Sequence, residues 1–263
     1  RIGRITAAGA ITTFGTPSLD GNSILTQIVA GPDGSLWFTE YKGSSLWRMT
    51  PAGVFTEFEG SAAGVSGPLG VVVGPDDRLW FVSQFNDRIG SIDPLAGDDT
   101  AVLNSIETYV DAQSEIDTPD QMALGDDGLL WFSSSANDRV GTIDPLAGDP
   151  AASITTYTDP EGEVDQPGAL TVGGDGNIWF SSRANDRIGK VEIRDCNLDP
   201  EPHGYTDVAD GAYFEDGLDW ARCHGIVAGF GDGTFRGNNP VQRGQIISQL
   251  WVMMESPAPF PNH

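Results

Sequence analysis

GPDGSLWF (31–38), GPDDRLWF (74–81), GDDGLLWF (125–132) and GGDGNIWF (173–180) are one phrase written four times. Their tryptophans, Trp37, Trp80, Trp131 and Trp179, stand 43, 51 and 48 residues apart. Each phrase is followed by a second shared piece: SLWRM (45–49), NDRIGSI (86–92), NDRVGTI (137–143) and NDRIGKV (185–191). The opening RIGRI (1–5) is a further copy of that second piece. Two co-repeating pieces at a period in the forties indicate a propeller or a solenoid, because each repeat is a supersecondary unit that buries its apolar face only against a neighbour.

Within a unit, β-branched and aromatic residues run in short stretches broken by Gly, Pro, Asn and Asp, which is the pattern of strands joined by tight turns. In the first complete unit strands are expected near 26–30, 35–40, 45–50 and 54–58. Four strands per unit make one propeller blade. The PDG and DDG steps are expected to turn the chain with a positive φ at Gly. Asn86 and Asp87, with their copies Asn137, Asp138, Asn185 and Asp186, are expected to turn it from the second strand to the third. The repeated tryptophans are expected to pack between blades, where burial of one such side chain contributes roughly 4–6 kcal/mol at most.

The 263 residues, 39% of them apolar, suffice for a packed core, and the 34 Gly and 17 Pro fall between apolar runs rather than in one tract. Against 14 Lys and Arg stand 38 Asp and Glu, a formal charge of −24. A polymer of phosphates would be repelled, so nucleic acid is excluded as a partner. No apolar run approaches the ~20 residues of a membrane-spanning helix. The chain opens at Arg1 inside a repeat, so an earlier part of the protein is expected to precede it.

The pattern G-P-D-G-x-L-W-F-T-E, followed by R-I-G-x-I, resembles the repeat of the virginiamycin B lyase (streptogramin lyase) family over residues 1–195. The resemblance implies a mainly β fold, a β-propeller with four recognisable four-stranded blades that form part of a larger ring. Members of that family close seven blades by letting the N-terminal strand complete a last blade that ends after its third strand. This chain has the same ending, with no fourth-strand pattern after GKVEIR (189–194). A four-bladed ring closed by Ile11–Phe14 is the alternative.

The resemblance also implies an elimination chemistry based on a histidine just before the first strand of a blade and on a metal held partly by the glutamate of W-F-T-E. The histidine positions correspond here to Thr26, Leu69, Asp120 and Gly168, and the glutamate positions to Glu40, Ser83, Ser134 and Ser182. Imidazole suits a general base because it titrates near neutral pH. None of the four positions supplies it, and His203, His224 and His263 all lie beyond the repeats. No catalytic residue is therefore assigned. Glu40 is the single metal candidate, read first as an acidic loop residue, and a divalent cation such as Mg or Ca is the only cofactor considered. GTPSLDG (15–21) reads as a connecting loop, and Asp126–Gly128 as a turn rather than a calcium loop.

From Cys196 the texture changes. Residues 196–204 read as a linker, and residues 205–255 form a small α-helical module that resembles one S-layer homology domain. Its landmarks are Tyr205–Val208, Trp220, Gly225–Gly229, DGTF at Asp232–Phe235, and Arg243. Phe214, Leu218 and Ala221 share one helical face, and Ile246, Ile247, Leu250 and Met254 line another. Asn239 is placed to cap the second helix ahead of Pro240. The resemblance implies binding of secondary cell-wall polysaccharide, with Arg243 pairing a sugar-borne carboxylate and Asp232, Gly233 and Trp220 around it. An Arg243–Asp232 pair on the helix surface is the other reading. Cys196 and Cys223 could form a disulfide closing a short loop in an exported protein, worth roughly 3–4 kcal/mol, or remain two buried thiols.

The expected protein is thus extracellular, associated with cell wall or S-layer, and presents a propeller face to an unidentified ligand. An enzyme whose catalytic residues lie in further blades, and a structural S-layer protein or adhesin, are the competing readings.

Overall fold

A strand needs only alternating bulk and a turn at each end, and the repeats supply both. The computed structural model describes residues 1–15 and 23–193, all within one unit, Arg1–Ile193. The connecting loop from residue 16, the linker, the helical module with Trp220, Asp232, Gly233 and Arg243, both cysteines and the three histidines lie outside the described residues.

The chain opens with β1 (Ile2–Ile5) and β2 (Ile11–Phe14), an antiparallel pair. Four antiparallel sheets follow in chain order. The first blade is β3 (Leu25–Ala30), β4 (Leu36–Glu40), β5 (Ser45–Met49) and β6 (Phe55–Glu59). The second is β7 (Pro68–Val73), β8 (Leu79–Ser83), β9 (Arg88–Ile92) and β10 (Glu107–Val110), with a helix α1 (Asp99–Asn104) between β9 and β10. The third is β11 (Pro119–Leu124), β12 (Leu130–Ser134), β13 (Arg139–Ile143) and β14 (Thr155–Thr158). The last has three strands, β15 (Pro167–Val172), β16 (Ile178–Ser182) and β17 (Arg187–Val191). This is the mainly β propeller architecture that the repeat predicts.

The first strands pack side by side, β3 on β7, β7 on β11 and β11 on β15, so the blades stack in order. The four-bladed ring closed by Ile11–Phe14 is not formed. β2 pairs with β1 and not with β17, because RIGRI is itself a third strand and offers β2 the partner that such a strand normally has. The pair is thereby the outer half of another blade: Ile2 packs on Phe38, Trp47 and Met49 of the first sheet.

The eight-residue phrase is a packing device. The tryptophan of each second strand points forward, and the phenylalanine beside it points back, because side chains alternate across a strand. Trp37 joins Val71, Leu79 and Phe81 of the next blade, Trp80 joins Met122 and Phe132, and Trp131 joins Ile178 and Phe180. The aspartate of the phrase accepts the indole N–H from Trp37, Trp80, Trp131 and Trp179 at 2.9–3.0 Å. At the start of the phrase, a Cβ on Gly31, Gly74, Gly125 or Gly173 would lie 2.4–2.8 Å from the indole edge. The turn residues Gly34, Gly128 and Gly176 have φ of 75–78°, as the sequence predicts, while Asp77 takes that role at φ 59° in the second blade.

Candidate functional site

The first strand of every blade carries the same irregularity. Its register against the second strand slips between Leu25 and Ile28, Pro68 and Val71, Pro119 and Met122, and Pro167 and Leu170. Thr26, Leu69, Asp120 and Gly168 sit in these slips. They lie inside the first strands and not, as the family resemblance implies, just before them. A bulge re-aims side chains locally, which is why bulges recur beside functional sites.

Each of the four positions is occupied in its own way. Thr26 Oγ1 is 2.6 Å from Thr39 Oγ1, and Thr39 Oγ1 donates to the Leu69 carbonyl at 2.6 Å, a stitch between the first two blades. Leu69 packs against the core between the second and third blades. Asp120 is buried and pairs with Arg183 Nη1 at 2.8 Å, joining the third blade to the fourth. Gly168 lies under that arginine: a Cβ there would approach Arg183 Nε to 2.8 Å. The lack of a side chain at Gly168 is what lets Arg183 reach Asp120.

Glu40 is buried, at 3% exposure, and its carboxylate accepts the N–H groups of Ile24, at 3.2 Å, and Gly43. Ser83, Ser134 and Ser182 hold the same place and brace the same loop, exchanging hydrogen bonds with Ser66, Asp117 and Asp165. Among the described residues no three His, Cys, Asp or Glu side chains converge as a metal centre. Asp126–Gly128 is a turn: Asp127 accepts from the Leu129 N–H and from Trp131, and burial pushes its carboxyl upward.

Around the Asp120–Arg183 pair the turns between second and third strands bring up residues that the repeat does not keep. Tyr41 donates its hydroxyl to Gln84 Oε1 at 2.6 Å and meets the ring of Phe85 at 4.7 Å, and Phe85 is 59% exposed. Burial and the charge of Asp120 together raise the Tyr41 hydroxyl above its ordinary range, so it remains a neutral donor. Tyr41, Gln84 and Arg183 follow the last residue of the W-F phrase in three blades, where the third blade has Ser135. A position at which each blade carries a different side chain, directly after the shared W-F piece, is the signal that sequence reading passed over.

The resulting surface draws on all four blades: an exposed aromatic, a phenol, an amide and a half-exposed guanidinium tied to a buried carboxylate. It can accept and donate hydrogen bonds and stack. Among the described residues it has no imidazole or thiol, and its buried carboxylates are already engaged, Asp120 by Arg183 and Glu40 by the Ile24 and Gly43 N–H groups.

Trp-centred blades stacked in this way around bulged first strands define a β-propeller. The chain belongs to the virginiamycin B lyase family, whose profile matches residues 1–195, and it carries an S-layer homology domain matched over residues 204–247. A crystal structure of catalytically inactive virginiamycin B lyase from Staphylococcus aureus with quinupristin is similar, at 27% identity and a TM-score of 0.56, covering 73% of this chain and 62% of that one. A streptogramin B lyase structure is similar at 24% identity and a TM-score of 0.56, with 73% and 61% covered. This chain thus spans about 62% of the length of the first of these structures. Comparison with curated protein sequences gives no match. The S-layer homology domain indicates association with the cell surface. Among the described residues no helix is long and apolar enough to cross a membrane.

Proposed function

We propose that this is a cell-surface binding protein whose propeller presents the Tyr41–Phe85–Asp120–Arg183 face to a ligand while the S-layer homology domain holds it to secondary cell-wall polysaccharide. Residues 1–195 form the propeller, 196–204 the linker and 205–255 the anchor, in which Arg243 pairs with a carboxylate of the polymer, supported by Asp232, Gly233 and Trp220. Such pairing favours arginine because its planar fork matches a carboxylate with two parallel hydrogen bonds. The observation that carries the reading on the propeller side is the Asp120–Arg183 ion pair, which stands at a position where the family resemblance calls for a histidine base and holds the Asp120 carboxylate in place. Binding, not proton transfer, is what such a face performs.

Sedimentation with purified cell wall tests the anchor. The full chain should pellet with the wall, a chain ending before residue 205 should stay in the supernatant, and Arg243→Ala should weaken retention by about tenfold, the value of one charge-assisted pair. Equal retention of the shortened chain refutes wall anchoring through this domain. Family membership favours an enzyme as the second reading, with the base in further blades. Consumption of quinupristin by a longer protein that includes further blades would shift the balance to that reading.

A further inference from the structure

The far end of the blades, opposite the Tyr41 cluster, holds a second feature that does not depend on that proposal. There the forward face of one blade is covered by the connection between the third and fourth strands of the next. Between the first two blades the cover is residues 93–106, which carry α1. Val102 of α1 is buried in the cluster of Trp37 and Phe58, and Asp99 takes Arg48 at 2.5 Å. Between the second and third blades the cover is the shorter segment 144–154, with a 3-10 turn at Pro150–Ser153 in place of the helix. A cleft of about 570 Å³ stays open beside the stacked rings of Trp80 and Tyr109, which lie 5.1 Å apart.

We propose that this cleft binds a saccharide unit bearing hydroxyls and a free amine, a hexosamine. Its volume lies within the range of small-molecule sites. Tyr109 and Pro150, both partly exposed in the lining, offer apolar surface to a sugar ring. Arg78 is held in place by Ser91 Oγ at 2.9 Å and the Ser105 carbonyl at 2.8 Å, so it is ordered before a ligand arrives. Glu107 accepts the Tyr109 hydroxyl at 2.7 Å and lies 3.5 Å from Arg78, leaving acceptor capacity towards the cleft. Asp149 enters from the third blade, exposed. Asp76 is already committed to Trp80 and to the Arg78 N–H. The carboxylates of Asp76, Glu107 and Asp149 outnumber the single guanidinium of Arg78, so a ligand rich in donors and carrying positive charge is favoured and an anionic one opposed. Burial, with the carboxylate of Glu107 adding to it, pushes the Tyr109 hydroxyl up to about 12, so it adds no further negative charge at neutral pH.

Glucosamine titrated into the full chain, followed by tryptophan fluorescence, tests this. Saturable binding in the millimolar range is expected, as for a single sugar unit with few contacts. Asp149→Asn and Glu107→Gln should each weaken it about fivefold, since the amide keeps an acceptor oxygen and loses the charge. Gly148→Trp should abolish it by filling the cleft, since nothing lies within 4 Å of a Cβ at Gly148 and the fold can accept the change. Unchanged near-ultraviolet circular dichroism in the variants shows that the blades remain intact. Absence of saturable binding, survival of binding in Gly148→Trp, or equal affinity for glucuronate each overturns the proposal.

Discussion

The glycine of R-I-G shows how one residue is dictated by another far from it in sequence. A Cβ on Gly141 would come within 2.3 Å of Phe132 Cζ, and Gly90 and Gly189 stand in the same relation to Phe81 and Phe180. The back-facing phenylalanine of the W-F phrase lies directly over the third strand, so the third strand must be bare there. In the first blade Trp47 replaces the glycine, and its ring lies 8° from the plane of Phe38 with centroids 6.3 Å apart. Gly141→Ala should therefore destabilise the propeller by about 1–3 kcal/mol, the range for overpacking a dense core. A urea midpoint equal to that of the parent chain would show that Phe132 moves aside at no cost. The repeated glycine is legible as a repeat, but the cause is not, because it needs the pairing of Phe132 with Gly141 across the sheet.

At the scale of the elements, N-D-R reads from sequence as a turn, and so it is: Asp87, Asp138 and Asp186 have φ of 56–58°. The structure adds what the three side chains do. Asn86 and Asn137 donate to the carbonyls of Gly64 and Glu115, bracing the loop that precedes the first strand. Arg88 and Arg139 reach Thr108 and Thr156 of the fourth strand. Asp87 and Asp138 cross to the next blade, where each accepts at 2.8 Å the N–H of a left-handed residue, Thr118 or Gln166. A β-branched residue at φ 54° is strained, and the tether holds it there. Asp87→Ala should cost about 1–2 kcal/mol and speed exchange of the Thr118 amide, whereas Asp87→Asn keeps the acceptor oxygen and most of the stability. An unchanged exchange rate in the alanine variant would mean that the tether does not secure the joint between blades. The partner lies in another repeat, so propensity and turn rules, which act locally, give no view of it.

Over the whole molecule the forward-facing tryptophans record the stacking. Trp37, Trp80 and Trp131 are 0%, 1% and 5% exposed, and Trp179, with no described blade in front of it, is 37% exposed beside an Ile188 at 69%. Lys190 lies over its ring, 5.8 Å from the centroid, the place that Arg48 takes over Trp37 in the first blade. Acrylamide quenching should therefore lose an accessible component in Trp179→Phe and none in Trp131→Phe; the same loss in both would show that the third and fourth blades do not stack as described. The candidate site divides along the same line. Asp120 and Glu40 could be singled out through the family resemblance, yet the partners that define their roles, Arg183 for one and the Ile24 and Gly43 amides for the other, could not.

By itself the sequence determined the four recognisable repeats, their strand order and the tryptophan-centred packing, because these follow from a period and an alternation that any neighbouring stretch of chain displays. It also marked the S-layer homology domain through a run of contiguous landmarks. Only the tertiary structure decided that β2 pairs with β1, that Asp120 is neutralised by Arg183 across two blades, and that the shorter cover over Tyr109 leaves a cleft. Each of these depends on which distant atoms come within a few ångströms, and such proximity arises when the sheets stack, not when any one of them forms.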